Sequence, residues 1–278
     1  MRGQSRTKRF VKLLISIGFF CGLTLWQWLR RLCGKEAVGS RVVLYYHSIP
    51  SDKRAAFARQ LDTIVRWAKP IPADVRRPLN GDAHYVAVTF DDGFENVVEN
   101  ALPELEKRKI PSTIFVIADA LGRFPHWLTD PAEREQHGKL MSVDQLQKVP
   151  SELVSIGSHT MTHPVLPLLS PRKARHELSE SRAKLEKLLN VPVDLFSFPR
   201  GAFNEDLIRW CQEVGYERVF TSLPLMAFAA PQEFVTGRVW AEPSDWRLEF
   251  HLKIVGAYRW LPRAFAVKRS ILSPKSAR

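Results

Sequence analysis

The stretch "VAVTFDDGF", residues 86–94, ends an apolar run with two adjacent carboxylates. The run from 85 to 90 is uncharged and rich in β-branched and aromatic residues, which predicts a buried strand. Asp91, Asp92 and Gly93 follow at its carboxyl end. An Asp-Gly turn accounts for one aspartate and the glycine. The second aspartate favours another interpretation, in which two carboxylates lie at the rim of an active site.

From Arg41 onward the chain alternates short apolar runs with amphipathic patterns. Strands are predicted at residues 41–47, 85–90, 112–118, 153–159, 193–199, 218–222 and 234–240. Helical spacing is found between several of them, at residues 57–69, 96–109, 171–190 and 204–215. This alternation is typical of βα units around a parallel sheet. About seven strands in roughly 220 residues suit a closed or nearly closed barrel better than an open sheet.

Polar, chemically reactive residues stand at the carboxyl ends of several predicted strands. They are His47, Asp91-Asp92-Gly93, Ser158-His159 and Pro199-Arg200-Gly201. The chemistry of a parallel barrel is found at the carboxyl ends of its strands. The sequence therefore predicts one site, at one rim of the barrel.

The two histidines of "SHTMTHP", residues 158–164, are four positions apart. Taken alone, His159 and His163 are explained as solvated residues of a loop. Together with Asp92 they form a set of two imidazoles and one carboxylate that leaves metal positions open, as a catalytic zinc ion requires. Asp91 is then a free carboxylate beside that set.

Several of these motifs together resemble the polysaccharide deacetylases of carbohydrate esterase family 4, and in particular the exopolysaccharide-type deacetylases. The motifs are "TFDDG" (89–93), "SHTMTHP" (158–164), "FSFPRG" (196–201) and "GYERVFTS" (215–222). The resemblance covers about residues 42–240. It implies a distorted parallel (β/α)7-type barrel. It also implies a metal-dependent hydrolase that removes N-acetyl groups from an N-acetylhexosamine-containing polysaccharide or glycan and releases acetate.

The resemblance also implies residue roles. Asp91 is the expected general base, and Asp92, His159 and His163 are the expected ligands of a divalent metal, usually zinc. Such an ion would polarise the acetamide carbonyl and acidify the attacking water. The backbone N–H that stabilises the oxyanion maps to Arg200, next to Pro199.

Two family positions are altered in this chain. The usual late Leu-x-His proton donor has no clear copy, and His47 in "LYYHSIP" (44–50) is the better candidate; the alternative is a histidine packed at a strand end. Ser197 stands where the family motif has an arginine, so Arg200 is expected near the substrate without orienting Asp91. Arg238 is expected to take that orienting role or to be a solvated surface residue. Trp127 either lines a sugar-binding groove or has a structural role.

The N-terminal region predicts a membrane segment. Residues 13–29, "LLISIGFFCGLTLWQWL", are uncharged and would form a helix of about 26 Å between basic flanks. An uncleaved signal anchor is expected, with a removed signal peptide and a buried or interfacial helix as alternatives. The positive-inside rule then favours a single-pass protein whose catalytic domain is extracytoplasmic, on the periplasmic or cell-surface side.

The net charge of +12 lies in the two ends of the chain. Residues 1–41 carry +8 and residues 259–278 carry +6, which leaves −2 for the body between them. This distribution excludes a nucleic-acid groove and favours contact with anionic lipid. The predicted regions are a basic segment (1–12), a transmembrane signal anchor (13–29), a linker (30–40), a deacetylase domain (41–258) and a basic tail (259–278).

Three other functions compete with the leading hypothesis. Two are enzymatic: deacylation of a lipid-linked sugar and deacylation of peptidoglycan. The third is a carbohydrate-binding or assembly protein without catalytic activity. The expected base and all three expected metal ligands are present, which argues against the third.

Overall fold

The computed structural model describes residues 6–149 and 152–262, and its centre is a parallel sheet of nine strands. The strands are β1 (Arg41–Tyr46), β2 (Lys69–Pro70), β3 (Tyr85–Phe90), β4 (Ser112–Val116), β5 (Val154–Ser158), β6 (Leu195–Ser197), β7 (Arg218–Phe220), β8 (Val235–Thr236) and β9 (Val239–Trp240). Their order is β8-β7-β6-β5-β4-β3-β1-β9, with β2 paired to β3. Every strand pair is parallel. Each predicted strand run contains at least one of these strands.

Within these described residues, eight α-helices lie around the sheet. They are α1 (Arg6–Leu32), α2 (Arg54–Trp67), α3 (Leu102–Lys107), α4 (Pro131–His137), α5 (Val143–Gln147), α6 (Pro171–Leu189), α7 (Glu205–Val214) and α8 (Arg247–Ile254). The four helices expected from the sequence correspond to α2, α3, α6 and α7. The pattern at 96–109 differs in detail, because a π-type turn at Val97–Ala101 precedes α3.

The sheet curls into a distorted barrel, and one stretch of chain touches both of its edges. β8 pairs with β7, and β9 pairs with β1 at the other end of the strand order. Only Gly237 and Arg238 separate β8 from β9. The run from Val235 to Trp240 therefore connects the two edges of the sheet. The predicted barrel class is confirmed.

Alternate residues of each strand pack on opposite faces of the sheet, as the pleat requires. Val86, Val88 and Phe90 of β3 belong to the core between the sheet and the helices. Tyr85 and Ala87 belong to a second core inside the barrel. All six residues of β3 are buried, which explains why the strand shows no alternation of polarity in the sequence.

The helix α1 has the length and composition of a membrane span, with a mean hydropathy of 1.6 over its most apolar window. The prediction of an apolar N-terminal helix is confirmed, and a signal sequence would pass the same test. The predicted segment 13–29 lies within α1. Residues 1–5 of the predicted basic segment and residues 263–278 of the predicted tail lie outside the described residues.

We predict that Gly237→Ala destabilises the domain by about 1–3 kcal/mol because the added methyl group has no room. A Cβ at Gly237 would lie 2.5 Å from the carbonyl oxygen of Leu223 and 2.8 Å from the Cβ of Leu225. Gly81→Ala is the control, since a Cβ there meets nothing within 4 Å. Urea unfolding of the full chain in detergent measures both effects. Equal losses in the two variants would show that the stretch between β8 and β9 does not constrain the fold.

Candidate active site

The inward-facing positions of the strands lead to one cavity at the carboxyl rim. Val43 and Ala87 face the barrel interior, and two-residue steps from them reach His47 and Asp91. The cavity has a volume of about 400 Å³, within the range of small-molecule sites. Its lining residues are Tyr45, His47, Asp91, Asp92, Trp127, Leu128, Glu133, His159, His163, Arg200, Gly201, Ser222 and Arg238.

Asp92, His159 and His163 form a compact buried cluster on the wall of this cavity. One ligand atom from each residue lies within 4.8 Å of the other two. The Oδ1 atom of Asp92 is 3.4 Å from the Nε2 atom of His159 and 3.4 Å from the Nε2 atom of His163. These groups are of the types that hold a divalent cation such as zinc.

The hydrogen bonds of this cluster are those expected around a cation. The Nδ1–H of His159 donates to the carbonyl oxygen of Ser197 at 2.8 Å, which leaves the lone pair of Nε2 directed at the cluster. Within residues 6–149 and 152–262, Asp92 Oδ1 and His163 Nδ1 are buried and have no hydrogen-bond partner. Buried polar atoms without partners are costly. A cation among the three side chains would satisfy Asp92 Oδ1 and would be faced by the Nε2 atoms of His159 and His163, so the residues fit a metal ion.

The protonation states also suit metal binding. Burial lowers the pKa of His163 to about 3, so its imidazole is neutral and has a free lone pair at neutral pH. Burial alone would raise the pKa of Asp92, but His159 and His163 beside it lower the pKa below its ordinary value. Asp92 is therefore ionised at neutral pH.

The backbone around the cluster is strained and is held in place by other side chains. Asp92, Thr160 and His163 have φ values of 70°, 70° and 61°, which are uncommon for residues other than glycine. The hydroxyl of Thr160 accepts a hydrogen bond from the His163 N–H at 3.0 Å. Glu177 of α6 accepts three hydrogen bonds from the intervening residues Met161 and Thr162.

Asp91 is held by a buried arginine. Arg238 donates from Nη1 to Oδ1 of Asp91 at 2.7 Å and from Nη2 to Oδ2 at 2.8 Å. Ser197 donates to Asp91 Oδ1 at 3.3 Å and accepts from Arg238 Nη2 at 2.7 Å. Burial would raise the pKa of Asp91, but the guanidinium charge lowers it below its ordinary value. The carboxylate is therefore ionised and fixed in orientation.

The side chain of Arg238 is enclosed inside the barrel and is not a surface residue. Only 1% of its surface is exposed. Its guanidinium carbon lies 4.6 Å from the ring centre of Tyr45 and 5.3 Å from that of Phe115. Cation–π contacts and hydrogen bonds to Thr89 and Thr221 complete its surroundings. The sequence left two roles open for Arg238, a residue that orients Asp91 or a solvated surface residue. In the structure its side chain is bonded to Asp91.

The other residues predicted for the site differ in how far they are buried. His47 follows β1, is half-buried and lines the cavity, and burial lowers the pKa of its imidazole. Arg200 is exposed at the cavity wall, with a left-handed φ of 57°. Pro199 is buried next to it. Gly201 has no space for a side chain, because a Cβ would lie 1.8 Å from the Ser222 hydroxyl.

One wall of the cavity comes from the polar insertion before α5. Trp127 lies against His163, with ring centres 4.2 Å apart and ring planes 30° apart. Leu128, and Glu133 of α4, belong to the same wall. The sequence offered Trp127 as a groove residue or a structural residue, and it gave no sign of Leu128, Glu133 or the supporting Glu177. These side chains have no motif, so only the fold identifies them.

Comparisons with known proteins identify the family to which the chain is similar. The family model for polysaccharide deacetylases matches residues 79–219. The Bacillus subtilis (strain 168) protein YxkH is 26% identical over 214 residues, which are 72% of this chain and 71% of YxkH. The peptidoglycan-N-acetylmuramic acid deacetylase PdaA of the same strain is 25% identical over 167 residues, 55% of this chain and 57% of PdaA.

Solved structures show the same fold. IcaB from Ammonifex degensii superposes with a TM-score of 0.64 and 28% identity, over 79% of this chain and 98% of IcaB. The deacetylase PplD of Streptococcus pyogenes superposes with a TM-score of 0.62 and 20% identity, over 79% of this chain and 99% of PplD. The chain belongs to the polysaccharide deacetylase family. It is therefore a hydrolase of carbon–nitrogen bonds.

We predict that Arg238→Met destabilises the protein in a way that depends on pH. The pKa of Asp91 in the folded wild type lies below its unfolded value of about 3.9, so its contribution to stability is present above about pH 4 and is lost as the pH falls through the folded pKa. Without the guanidinium, burial raises that pKa and removes the contribution. The difference in unfolding free energy should be about 3–5 kcal/mol near pH 7 and should shrink below about pH 4.

Arg218→Met is the matched control for that prediction. Arg218 is also fully buried, but its three hydrogen bonds go to the backbone carbonyl oxygens of Glu233, Ala73 and Pro231. Its loss should cost stability to a similar extent across the same pH range. Urea unfolding at several pH values measures both variants. A deficit in Arg238→Met that does not change with pH would contradict the ion pair.

Proposed function

We propose that this protein is a metal-dependent deacetylase that hydrolyses the N-acetyl groups of an N-acetylhexosamine-containing glycan and releases acetate. The observation that carries the proposal is the pairing of two buried groups in one cavity. One is the Asp92–His159–His163 cluster, whose unpartnered Asp92 Oδ1 atom suits a cation. The other is the ionised Asp91 carboxylate, aligned by Arg238.

In the proposed reaction Asp92, His159 and His163 would hold a divalent cation, and their two imidazole groups favour zinc. The bound ion would polarise the acetamide carbonyl and acidify the attacking water. Asp91 accepts a proton from that water as a bond forms between the water oxygen and the carbonyl carbon. The backbone N–H of Arg200 stabilises the negative charge that develops on the carbonyl oxygen. Arg238 acts only through Asp91, as a positioning residue.

His47 is the proposed proton donor to the leaving amine. The bond between carbon and nitrogen breaks when the nitrogen receives a proton, and the products are acetate and a free amine. The buried environment lowers the pKa of His47, so its protonated form is a strong donor toward that nitrogen. The proton held by Asp91 then returns through solvent to His47, and the acetic acid loses its own proton to become acetate, which restores the starting state.

The glycan and its location are part of the proposal. PdaA, one of the similar proteins, is named for a peptidoglycan substrate, so peptidoglycan is a candidate beside exopolysaccharide and lipid-linked sugar. The helix α1 supports an attachment to a membrane, which would keep the domain near glycans at that surface. The extracytoplasmic side stays a prediction.

We predict that the full-length protein in detergent binds zinc and releases acetate from a panel of N-acetylated glycan oligomers, and that His159→Ala loses both properties. Asp91→Asn should keep the metal and lose about 10²–10⁴-fold in kcat. His176→Ala is the control for His159→Ala, since His176 is exposed on α6. Metal content by elemental analysis and acetate release measure the two properties. Zinc binding without acetate release from any member of the panel would favour the non-catalytic alternative.

We predict that His47→Ala keeps its metal and loses about 10²–10⁴-fold in kcat, because the leaving amine no longer receives a proton. The loss should be smaller for a substrate analogue whose leaving group needs no proton. His126→Ala is the control, since His126 is exposed next to the Trp127 wall. A His47→Ala variant with full kcat on the glycan would exclude His47 as the acid.

A further inference from the structure

Three polar residues of α1 lie along a single face of the helix. Arg9, Ser16 and Gln27 are separated by seven and eleven residues, which are close to two and three helical turns. They therefore share one face, although residues 13–29 form a nearly continuous apolar run. A helix surrounded by lipid on all sides would not require its polar residues on one face, because hydrocarbon offers aligned polar groups no hydrogen-bond partner.

Each of these polar residues is bonded to the domain. The Arg9 guanidinium forms an ion pair with Glu249 at 2.6 Å and lies 4.6 Å from the ring centre of Trp246. The hydroxyl of Ser16 is completely buried and accepts a hydrogen bond from Trp260 Nε1 at 2.9 Å. The side-chain amide of Gln27 exchanges two hydrogen bonds with the backbone of Val38.

These contacts place α1 alongside the barrel. Arg9 meets the beginning of α8, which follows the carboxyl-terminal end of β9. Gln27 meets Val38, which precedes the beginning of β1. The helix therefore runs along the wall of the domain, from the cavity rim toward the opposite end. In this position α1 cannot cross a bilayer without taking its neighbours Asp245, Glu249 and Lys253 into the hydrocarbon, which would be costly.

The opposite face of α1 is apolar and exposed. The large side chains on it are Phe10, Val11, Leu14, Ile15, Leu25, Trp26, Trp28, Leu29 and Leu32. Val65 and Trp67 of α2, with Trp246 and Leu248 next to α1, are also exposed. The ring of His251 contacts both Phe20 of α1 and Trp67, so the apolar surfaces of these helices are neighbours. An apolar surface of this extent is typical of a membrane or protein contact.

The charge around this surface indicates which contact it makes. The flanks of α1 are basic, and residues 1–41 carry a net charge of +8. Arg59, Arg66 and Arg247 line a groove of about 600 Å³ between α2 and α8, beside the contact of Trp67 with His251. Arginine and tryptophan beside an apolar helix are the features of an interfacial helix on anionic lipid.

We propose that α1 lies in the plane of an anionic phospholipid bilayer and does not span it. Its apolar face enters the boundary between headgroups and acyl chains, and its polar face holds the domain. Both ends of α1 are then on the same side of the bilayer as the domain. Because α1 runs along the barrel wall, the cavity opens sideways along the membrane surface.

Thiol labelling of the full-length protein tests the topology. Lys8 and Cys33 are exposed near the two ends of α1, and Cys211 is buried. One variant keeps Cys33 and carries Cys21→Ser; the other carries Lys8→Cys with Cys21→Ser and Cys33→Ser. Each is added to preformed vesicles of phosphatidylcholine and phosphatidylglycerol and treated with a membrane-impermeant maleimide. We expect equal labelling at both ends without detergent. Labelling of one end only, with the other appearing after detergent, would show a spanning helix and overturn the proposal.

Labelling of the exposed Cys21 on α1 tests what covers the apolar face of this helix. In a protein that keeps only Cys21 and the buried Cys211, labelling should be lost on addition of phosphatidylglycerol-containing vesicles and retained with phosphatidylcholine alone. Protection without any vesicles, in a sample that sediments as a dimer, would assign the face to a second copy of the chain. Labelling that anionic vesicles leave unchanged would also overturn the proposal. None of these readouts depends on acetate release, so they can fail independently of the proposed function.

Paired substitutions test the docking of α1 on the domain. Ser16→Leu places a larger apolar group on the docked face, and Cys21→Leu places the same group on the exposed face. We expect Ser16→Leu to lower the melting temperature of the full chain in detergent by about 2–4 °C or more, and Cys21→Leu to leave it unchanged. Equal melting temperatures in the two variants would show that α1 is not docked.

Discussion

The buried ion pair between Arg238 and Asp91 is the interaction on which the barrel interior depends. Charges are removed from water only at a high cost, and the cost is offset when geometry and hydrogen bonding are complete. Here both terminal nitrogens of the guanidinium group and both carboxylate oxygens are engaged, with Ser197 bonded to each partner. The pair also connects β3 to the stretch between β8 and β9, which joins the two edges of the sheet. The same ion pair therefore ties β3 to the stretch that closes the barrel and fixes the orientation of Asp91.

The serine at position 197, where the resemblance implies an arginine, can be understood in these terms. Ser197, at the end of β6, lies beside Asp91 and is completely buried. Arg238 reaches Asp91 from the stretch between β8 and β9, and Ser197 supplies a hydroxyl that bonds both charged groups. The positive charge beside Asp91 therefore comes from the stretch between β8 and β9, and Asp91 is paired although position 197 is a serine. Ser197 also contributes its backbone carbonyl to His159, so one residue supports both halves of the site.

Much of the fold and part of the site could be predicted because the physical signals are local. Seven strand runs are visible as apolar β-branched stretches, and the residues Asp92, His159 and His163 stand out by type and spacing. The strand β2 was missed because Lys69 and Pro70 carry no strand signal and pair only where tertiary structure brings them to β3. Glu177 and Trp127 were missed or left open for a similar reason, since their roles come from contacts with distant residues.

Prediction from average hydropathy is limited in a similar way, and α1 is the example. An average over 18 residues gives a value typical of a membrane span, because it combines both faces of the helix. The distinction between a spanning helix and one that lies on the surface depends on where the few polar residues point, and each of them must find a partner. Arg9, Ser16 and Gln27 find theirs on the domain, as Arg238 does in the barrel. Along α1 and inside the barrel, each of these polar side chains has a hydrogen-bond or ion-pair partner at a fixed position. The position of that partner determines where the segment that carries the polar side chain lies.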